Sequence, residues 1–422
     1  MLWTAFLSLS LLRFATERLL AWTNKRFYEQ SERQKLACQR LGWTREAFDK
    51  CLHYARDKYW FAWVSSSVEV VVTLSFLYYG GLGWLEGQAQ RLAFVLLGTT
   101  SEVIVGLCFF GLLGLLSMAF GLGFEIYSTF VVEQKHGFNR QTGVGFVTDK
   151  LKGLALGSVI GGAFLSVLLY VIAHLGSNWW IWAWAFIASF QLVMLWIYPS
   201  VLAPLFNTFS PLEEGELKEA IYALAHKVEF KAAGISVMDA SRRSGHGNAY
   251  FTGVMGEKKI VLFDTLLKQL STAQTVAVMA HELGHFKCNH VRNRMLRGFL
   301  FMALLLWGLA QALPYAGFYT ALGMQGVSSY GALAVFPMWW GLFGFWLTPL
   351  SSLFSRKDEY QADAFAVTHT GSAETLSTAL VQLSEENKTM PLVHPWFSGF
   401  YYSHPTVFER MDAMQAQAAA QA

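Results

Sequence analysis

Residues 279–290, MAHELGHFKCNH, decide how the rest of the chain is read. Within them His281, Glu282 and His285 form the pattern H-E-x-x-H. On an α-helix, residues four apart project from one face, so both imidazoles can reach one metal ion. Glu282 is offset from His281 by about 100° of helical rotation. It can reach a water beside that ion without being a ligand, which is the place of a general base. Gly284 keeps the helix surface low at that point. Ser271 and Gln274 form a capping-box pattern, which predicts that the helix starts there and runs through the motif.

Such a site consumes water, yet the chain around it is apolar. Of 422 residues, 54% are hydrophobic and only 14% charged, with 16 Trp and 34 Phe. Soluble domains carry about a quarter charged residues. With a mean hydropathy of +0.34, the chain reads as a polytopic membrane protein with some soluble mass. A net charge of +3, with no basic run interleaved with aromatics, argues against a nucleic-acid partner. Cys38, Cys51, Cys108 and Cys288 are scattered without C-x-x-C, so no disulfide framework or cysteine metal site is implied. Cys288 reads as a packing residue.

A helix needs about 20 apolar residues to cross the hydrocarbon core. Apolar runs predict seven spans, at 1–20, 60–84, 102–132, 154–175, 179–205, 298–316 and 332–353. The first is interrupted by Arg13, Glu17 and Arg18. Loop charges fit that number. Residues 23–58 hold nine Lys or Arg, and 133–153 hold four. Residues 206–297 are also basic, whereas the alternate loops are nearly bare. Basic loops stay in the cytoplasm, so the motif is expected on the cytoplasmic side. Glu69, Glu102 and Glu125 lie in or at the ends of spans, where a carboxylate faces a cavity or bonds a neighbouring helix. Gly153, Gly157 and Gly161 predict close helix approach within the bundle.

Residues 206–296 change character. SPLEEGELKEAIYALAHKV (210–228) reads as an amphipathic helix and AGISVMDAS (233–241) as a strand. NAYFTGVMGEKKIVLFD (248–264) reads as a hairpin turning at Gly256–Glu257. Directly after the last span comes SRKDEYQADAF (355–365). Glu359 and Asp363 share one helix face there. Glu359 can complete a His-His-Glu ligand set with one position left open, and Asp363 can fix the tautomer of a ligand histidine. The alternative, a solvated acidic face, is disfavoured by two half-motifs that complement each other.

Several separated stretches resemble the type I CAAX prenyl endopeptidases, which are integral-membrane zinc proteases. HELGHFKCNH (281–290) and SRKDEYQAD (355–363) are similar to the zinc box and third-ligand box of that family. EQKHGFNRQT (133–142), YPSVLAPLFNTFSPL (198–212), GNAYFTG (247–253), VLFDTLL (261–267) and YYSHPTVFER (401–410) match further boxes in the same order.

The resemblance implies a mainly α fold with seven transmembrane helices and a small cytoplasmic α+β zinc-protease domain of the gluzincin type. The parts would be 1–205, 206–297, 298–354 and 355–422. One Zn2+ per chain would be held by His281, His285 and Glu359, with Asp363 behind them and Glu282 as base. Asn248 and Ala249 would lie on an edge strand that takes up a peptide substrate. His404 would donate to the oxyanion, and Arg410, counted with Asn248 and Ala249 as substrate-binding, would position its segment or pair with an acid. His136, His246, His290, His369 and His394 read as structural. The helices would enclose a water-filled chamber. A peptide or protein substrate, lipidated in the prenyl case, and membrane lipid are the expected partners, with the chain acting as a monomer. Compact loops and a C-terminal QAQAAAQA without retrieval lysines favour a bacterial inner membrane. Alternatives are a quality-control zinc protease and a non-catalytic zinc-containing transporter or scaffold.

Overall fold

The computed structural model describes residues 1–252 and 258–421. Its helices, in chain order, begin with α1 (Leu2–Tyr28), α2 (Ser31–Leu41), α3 (Arg45–Tyr78), α4 (Gly81–Leu97) and α5 (Glu102–Tyr127). They continue with α6 (Gly143–Leu156), α7 (Gly162–His174), α8 (Trp179–Ile197), α9 (Glu216–Lys227), α10 (Asp264–Gln269) and α11 (Thr272–Lys287). Then follow α12 (His290–Ala312), α13 (Ala316–Thr320), α14 (Ser329–Thr370), α15 (Ala373–Glu386), α16 (Pro395–Tyr401) and α17 (Val407–Gln421).

Among the described residues, six helical runs are long and apolar enough to cross a membrane: Arg45–Tyr78, Glu102–Glu133, Gly143–His174, Gly176–Leu205, His290–Ala312 and Ser329–Thr370. The expected first span lies on α1, whose charges keep it outside that set. It still joins the bundle. Phe6 meets Trp339 edge-on at 5.1 Å, and Arg13 donates to the Gly341 carbonyl at 3.0 Å. The span expected at 60–84 ends earlier. Gly80 is left-handed, at φ 72°, and breaks the helix, so Trp84 belongs to α4. The last span does not stop at 353. α14 runs for 42 residues through Pro337 and Pro349, so the boundary expected at 354/355 falls inside one continuous helix.

The glycine row behaves otherwise than expected. A Cβ on Gly153, Gly157 or Gly161 would meet nothing within 4 Å. These residues face open space rather than a neighbouring helix, and Gly157–Gly161 form a π-helical turn. Glu102 and Glu125 are both engaged. Glu102 accepts the backbone N–H of Ser329 at the start of α14, and Glu125 pairs with Lys150 at 2.5 Å. Glu69 is exposed. Glu86 is 3% exposed and accepts from Gln325 N and the Tyr330 hydroxyl at 2.8 and 3.0 Å. Burial of that carboxylate is affordable only because two donors meet it.

The bundle's buried core gathers at one end. It includes Leu77, Leu82, Leu169, Trp179, Tyr319 and Tyr330, beside the short loops. A second core underlies a four-stranded sheet of order β1-β2-β4-β3. The strands are β1 (Phe209–Pro211), β2 (Ala232–Met238), β3 (Ala249–Thr252) and β4 (Lys258–Phe263). β2 and β4 are parallel, and β1 and β3 add antiparallel at the edges. The expected hairpin is the β3–β4 pair; its turn at Gly256–Glu257 lies outside the described residues. α11 packs on this sheet through Ala277, Met279 and Leu283, and Ala366 of α14 joins the same core.

Candidate metal centre and active site

α11 starts at the expected capping box. Ser271 Oγ accepts from Gln274 N, and the Gln274 side chain returns to Ser271 N. The helix therefore presents His281 and His285 together. Their Nε2 atoms are 3.2 Å apart. Gly284, between them, has a second use. A Cβ there would lie 2.9 Å from Ala362 Cα and 3.0 Å from Ala362 O. Only glycine lets the α14 backbone come this close, and that approach brings Glu359 to the histidines.

Glu359 Oε2 lies 3.4 Å from His281 Nε2, and Oε1 lies 3.2 Å from His285 Nε2. Donor atoms of the three residues all fall within 4.8 Å of one another. Glu359 is 2% exposed, and its Oε2 is buried without a hydrogen-bond partner. A partnerless buried carboxylate oxygen is costly. A cation between the three side chains would satisfy it, so the residues present fit a metal ion. Cys288 takes no part in this set. The acidic face is not solvated: Asp358, Glu359 and Asp363 are all buried.

Each histidine is also held from behind. His281 Nδ1 meets Asp363 Oδ1 at 2.8 Å. Arg410 Nε and Nη2 donate to Asp363 Oδ2 and Oδ1 at 2.8 and 2.5 Å. Arg410 thus pairs with an acid. His285 Nδ1 meets His290 Nδ1 at 3.0 Å, and His290 Nε2 meets Gln361 Oε1 at 2.9 Å. His290 is structural in this sense, but Gln361 gave no signal beyond its place between Glu359 and Asp363.

Burial pushes the Glu282 carboxyl above the usual carboxylate range, with His281 and His285 partly offsetting it. A raised proton affinity suits a group that takes up a proton and passes it on. His404 is brought to the same point. Its Nε2 lies 3.2 Å from Glu359 Oε1, and its side chain is 64% exposed. Beside it opens a cavity of about 370 Å³, lined by Leu380, Met390, Val393, Tyr402 and Val407, among others.

Ala249 begins the edge strand, and Asn248 directly precedes it. Phe263 N donates to Asn248 O at 3.0 Å, so Asn248 bonds inward to β4. By antiparallel alternation, Ala249 and Phe251 turn their main-chain groups outward. The outward Ala249 N–H is met by the Asn248 side-chain oxygen at 2.8 Å. The loop 133–142 steadies the approach to this strand. Phe138 stacks on His246 at 4.0 Å, Gly245 N donates to Phe138 O at 3.1 Å, and Asn139 bridges Ser244.

The chain is similar to known proteins over most of its length. Residues 34–208 match the CAAX prenyl protease N-terminal family, described as five membrane helices. Residues 211–418 match peptidase family M48. The chain is 36% identical to a rice CAAX prenyl protease 1 homolog (Oryza sativa subsp. japonica), over 88% of this chain and 87% of that one. It is 37% identical to CAAX prenyl protease 1 of Saccharomyces cerevisiae, over 87% of this chain and 86% of that one. The crystal structure of S. mikatae Ste24p superposes with a TM-score of 0.90 at 32% identity, covering 98% of this chain and 99% of that one. The chain therefore belongs to peptidase family M48, as a multi-pass membrane metalloendopeptidase with a CAAX prenyl protease N-terminal region.

Proposed function

We propose that the chain holds one zinc ion on His281, His285 and Glu359 and cleaves CAAX-type prenylated or amphipathic peptides near their C-terminus. The observation that carries the metal reading is the buried Glu359 carboxylate, whose Oε1 faces His285 and whose partnerless Oε2 faces His281. Two imidazole nitrogens and one carboxylate oxygen, with one position open, are a catalytic zinc set. The bound ion would supply Lewis acidity, polarising the scissile carbonyl and acidifying water. The names of the relatives support the substrate class.

The chain's own residues do the rest. Substrate adds to the β3 edge, where its carbonyl takes the Ala249 N–H in place of the Asn248 side chain. Glu282 accepts the proton of the attacking water and delivers it to the leaving amine. His404 Nε2 leaves Glu359 and donates to the developing oxyanion. Asp363 and Arg410 hold the His281 ring in place. Residues 206–297 and 355–422 form the working parts, and 1–205 and 298–354 seat them in the membrane.

The loop charges support an active site on the cytoplasmic face. The compared relatives are eukaryotic and lend no support to a bacterial membrane; the sidedness does not depend on it. A water-filled chamber fits a bundle whose core gathers at one end and whose glycines at 153, 157 and 161 face open space. Lipid in contact with the helices and a monomeric chain complete the reading.

The test uses purified protein in detergent with a farnesylated C-a-a-X peptide and the same peptide unmodified. Preferential cleavage of the farnesylated peptide supports the proposal. Equal cleavage of both favours quality-control proteolysis instead. No cleavage by the zinc-loaded protein rejects the substrate class.

A further inference from the structure

α11 ends at Lys287, and Asn289 is left-handed, at φ 59°. Without that break His290 would sit about 140° around the helix from His285, off its face. With it, the chain folds back and the two Nδ1 atoms meet at 3.0 Å. His290 is 2% exposed. Its other nitrogen reaches Gln361 Oε1 at 2.9 Å.

The proton positions along this chain are determined. His285 offers Nε2 to the ligand set, so its Nδ1 carries the proton and donates. His290 Nδ1 must then accept, which leaves the His290 proton on Nε2. Gln361 Oε1 can only accept it. Every link is satisfied in one arrangement and no other. We propose that His290 and Gln361 are positioning residues that hold His285 in the tautomer presenting Nε2 to zinc.

The two histidine ligands are thereby held differently. His281 is backed by a carboxylate that Arg410 pins. His285 is backed by a neutral imidazole and amide. Asp358 lies nearby, with its Oδ1 4.0 Å from His290 Nε2, but its other oxygen is shared with Arg294 and Arg297 at 3.8 and 3.4 Å. Those arginines leave the amide of Gln361 as the acceptor of the relay.

The inference rests on the zinc reading above, and the test separates the two. Zinc affinity is measured by chelator competition on the full-length protein in detergent, for wild type, Gln361→Leu and Gln361→Glu. The thermal midpoint of each metal-free protein is measured alongside. Loss of such an outer partner costs about 10–100-fold in metal affinity. Gln361→Leu is expected to lose that much, and Gln361→Glu, which still accepts, to bind at least as tightly as wild type. The metal-free midpoints should stay together. Gln361→Leu binding like wild type, or both variants losing equally, overturns the relay alone. A wild type that binds no zinc overturns the zinc reading and the relay with it. Nitrogen-15 spectra of histidine-labelled, zinc-loaded wild type need no variant. They should show His285 protonated at Nδ1 and His290 at Nε2, and the opposite pattern at either ring refutes the proposal.

Discussion

Gly284 and Ala362 meet backbone against backbone: a Cβ on residue 284 would stand 2.9 Å from the Ala362 Cα. This contact between α11 and α14 sets the distance from Glu359 to the two histidines. An added methyl group has no flexible side chain to push aside. Gly284→Ala is therefore expected to destabilise the protein by about 1–3 kcal/mol, the usual cost of overpacking. It should also lower metal affinity, because α14 must move away. A thermal melt and a metal titration on one preparation check both effects. A stable Gly284→Ala protein with wild-type affinity would contradict this view of the contact.

The Asp363–Arg410 pair makes a different prediction. Both side chains are buried. Asp363→Ala leaves Arg410 charged and unpaired, a loss of about 3–5 kcal/mol, and leaves His281 Nδ1 without its carboxylate. Adding Arg410→Met removes the stranded charge. The double variant should recover much of the stability but none of the metal affinity. Denaturant melts and chelator competition across the cycle separate the two roles. Parallel recovery of both quantities would show that Asp363 does not tune the ligand.

At the sheet edge, Ala249 turns its N–H away from β4. Ala249→Pro removes that donor without breaking the inward bond of Asn248, and proline is tolerated on an edge. The expected result is a rise in KM of about tenfold, the worth of roughly one hydrogen bond, with kcat changed less. Steady-state kinetics on a soluble peptide test it. An unchanged KM would move substrate off this edge.

Much of the site was legible because its spacing is local. His281 with His285 and Glu359 with Asp363 lie four residues apart, and helix geometry alone puts each pair on one face; Ser271 and Gln274 lie three apart, the spacing of a capping box. The spans were legible from apolar length. Side-chain facing was not. A span that is apolar all round gives no phase, so Gly153, Gly157 and Gly161 read as packing residues although they face open space. Glu86 was missed because its partners, Gln325 and Tyr330, lie more than 200 residues away. The continuity of α14 past 353 was hidden by the change from apolar to charged residues, which ends a hydropathy run but not a helix. The His285–His290 contact depends on one left-handed residue, Asn289, which helical spacing cannot anticipate.

In the proposed mechanism Glu282 performs the proton transfers beside a metal held by other residues. The most direct measurement compares zinc content and cleavage of a farnesylated C-a-a-X peptide, by mass spectrometry, for wild type and Glu282→Gln purified identically. Equal zinc is expected in both, with release of the C-terminal fragment by wild type and a rate about 10²–10⁴-fold lower for Glu282→Gln. A zinc-loaded Glu282→Gln protein that cleaves as fast as wild type would contradict that mechanism.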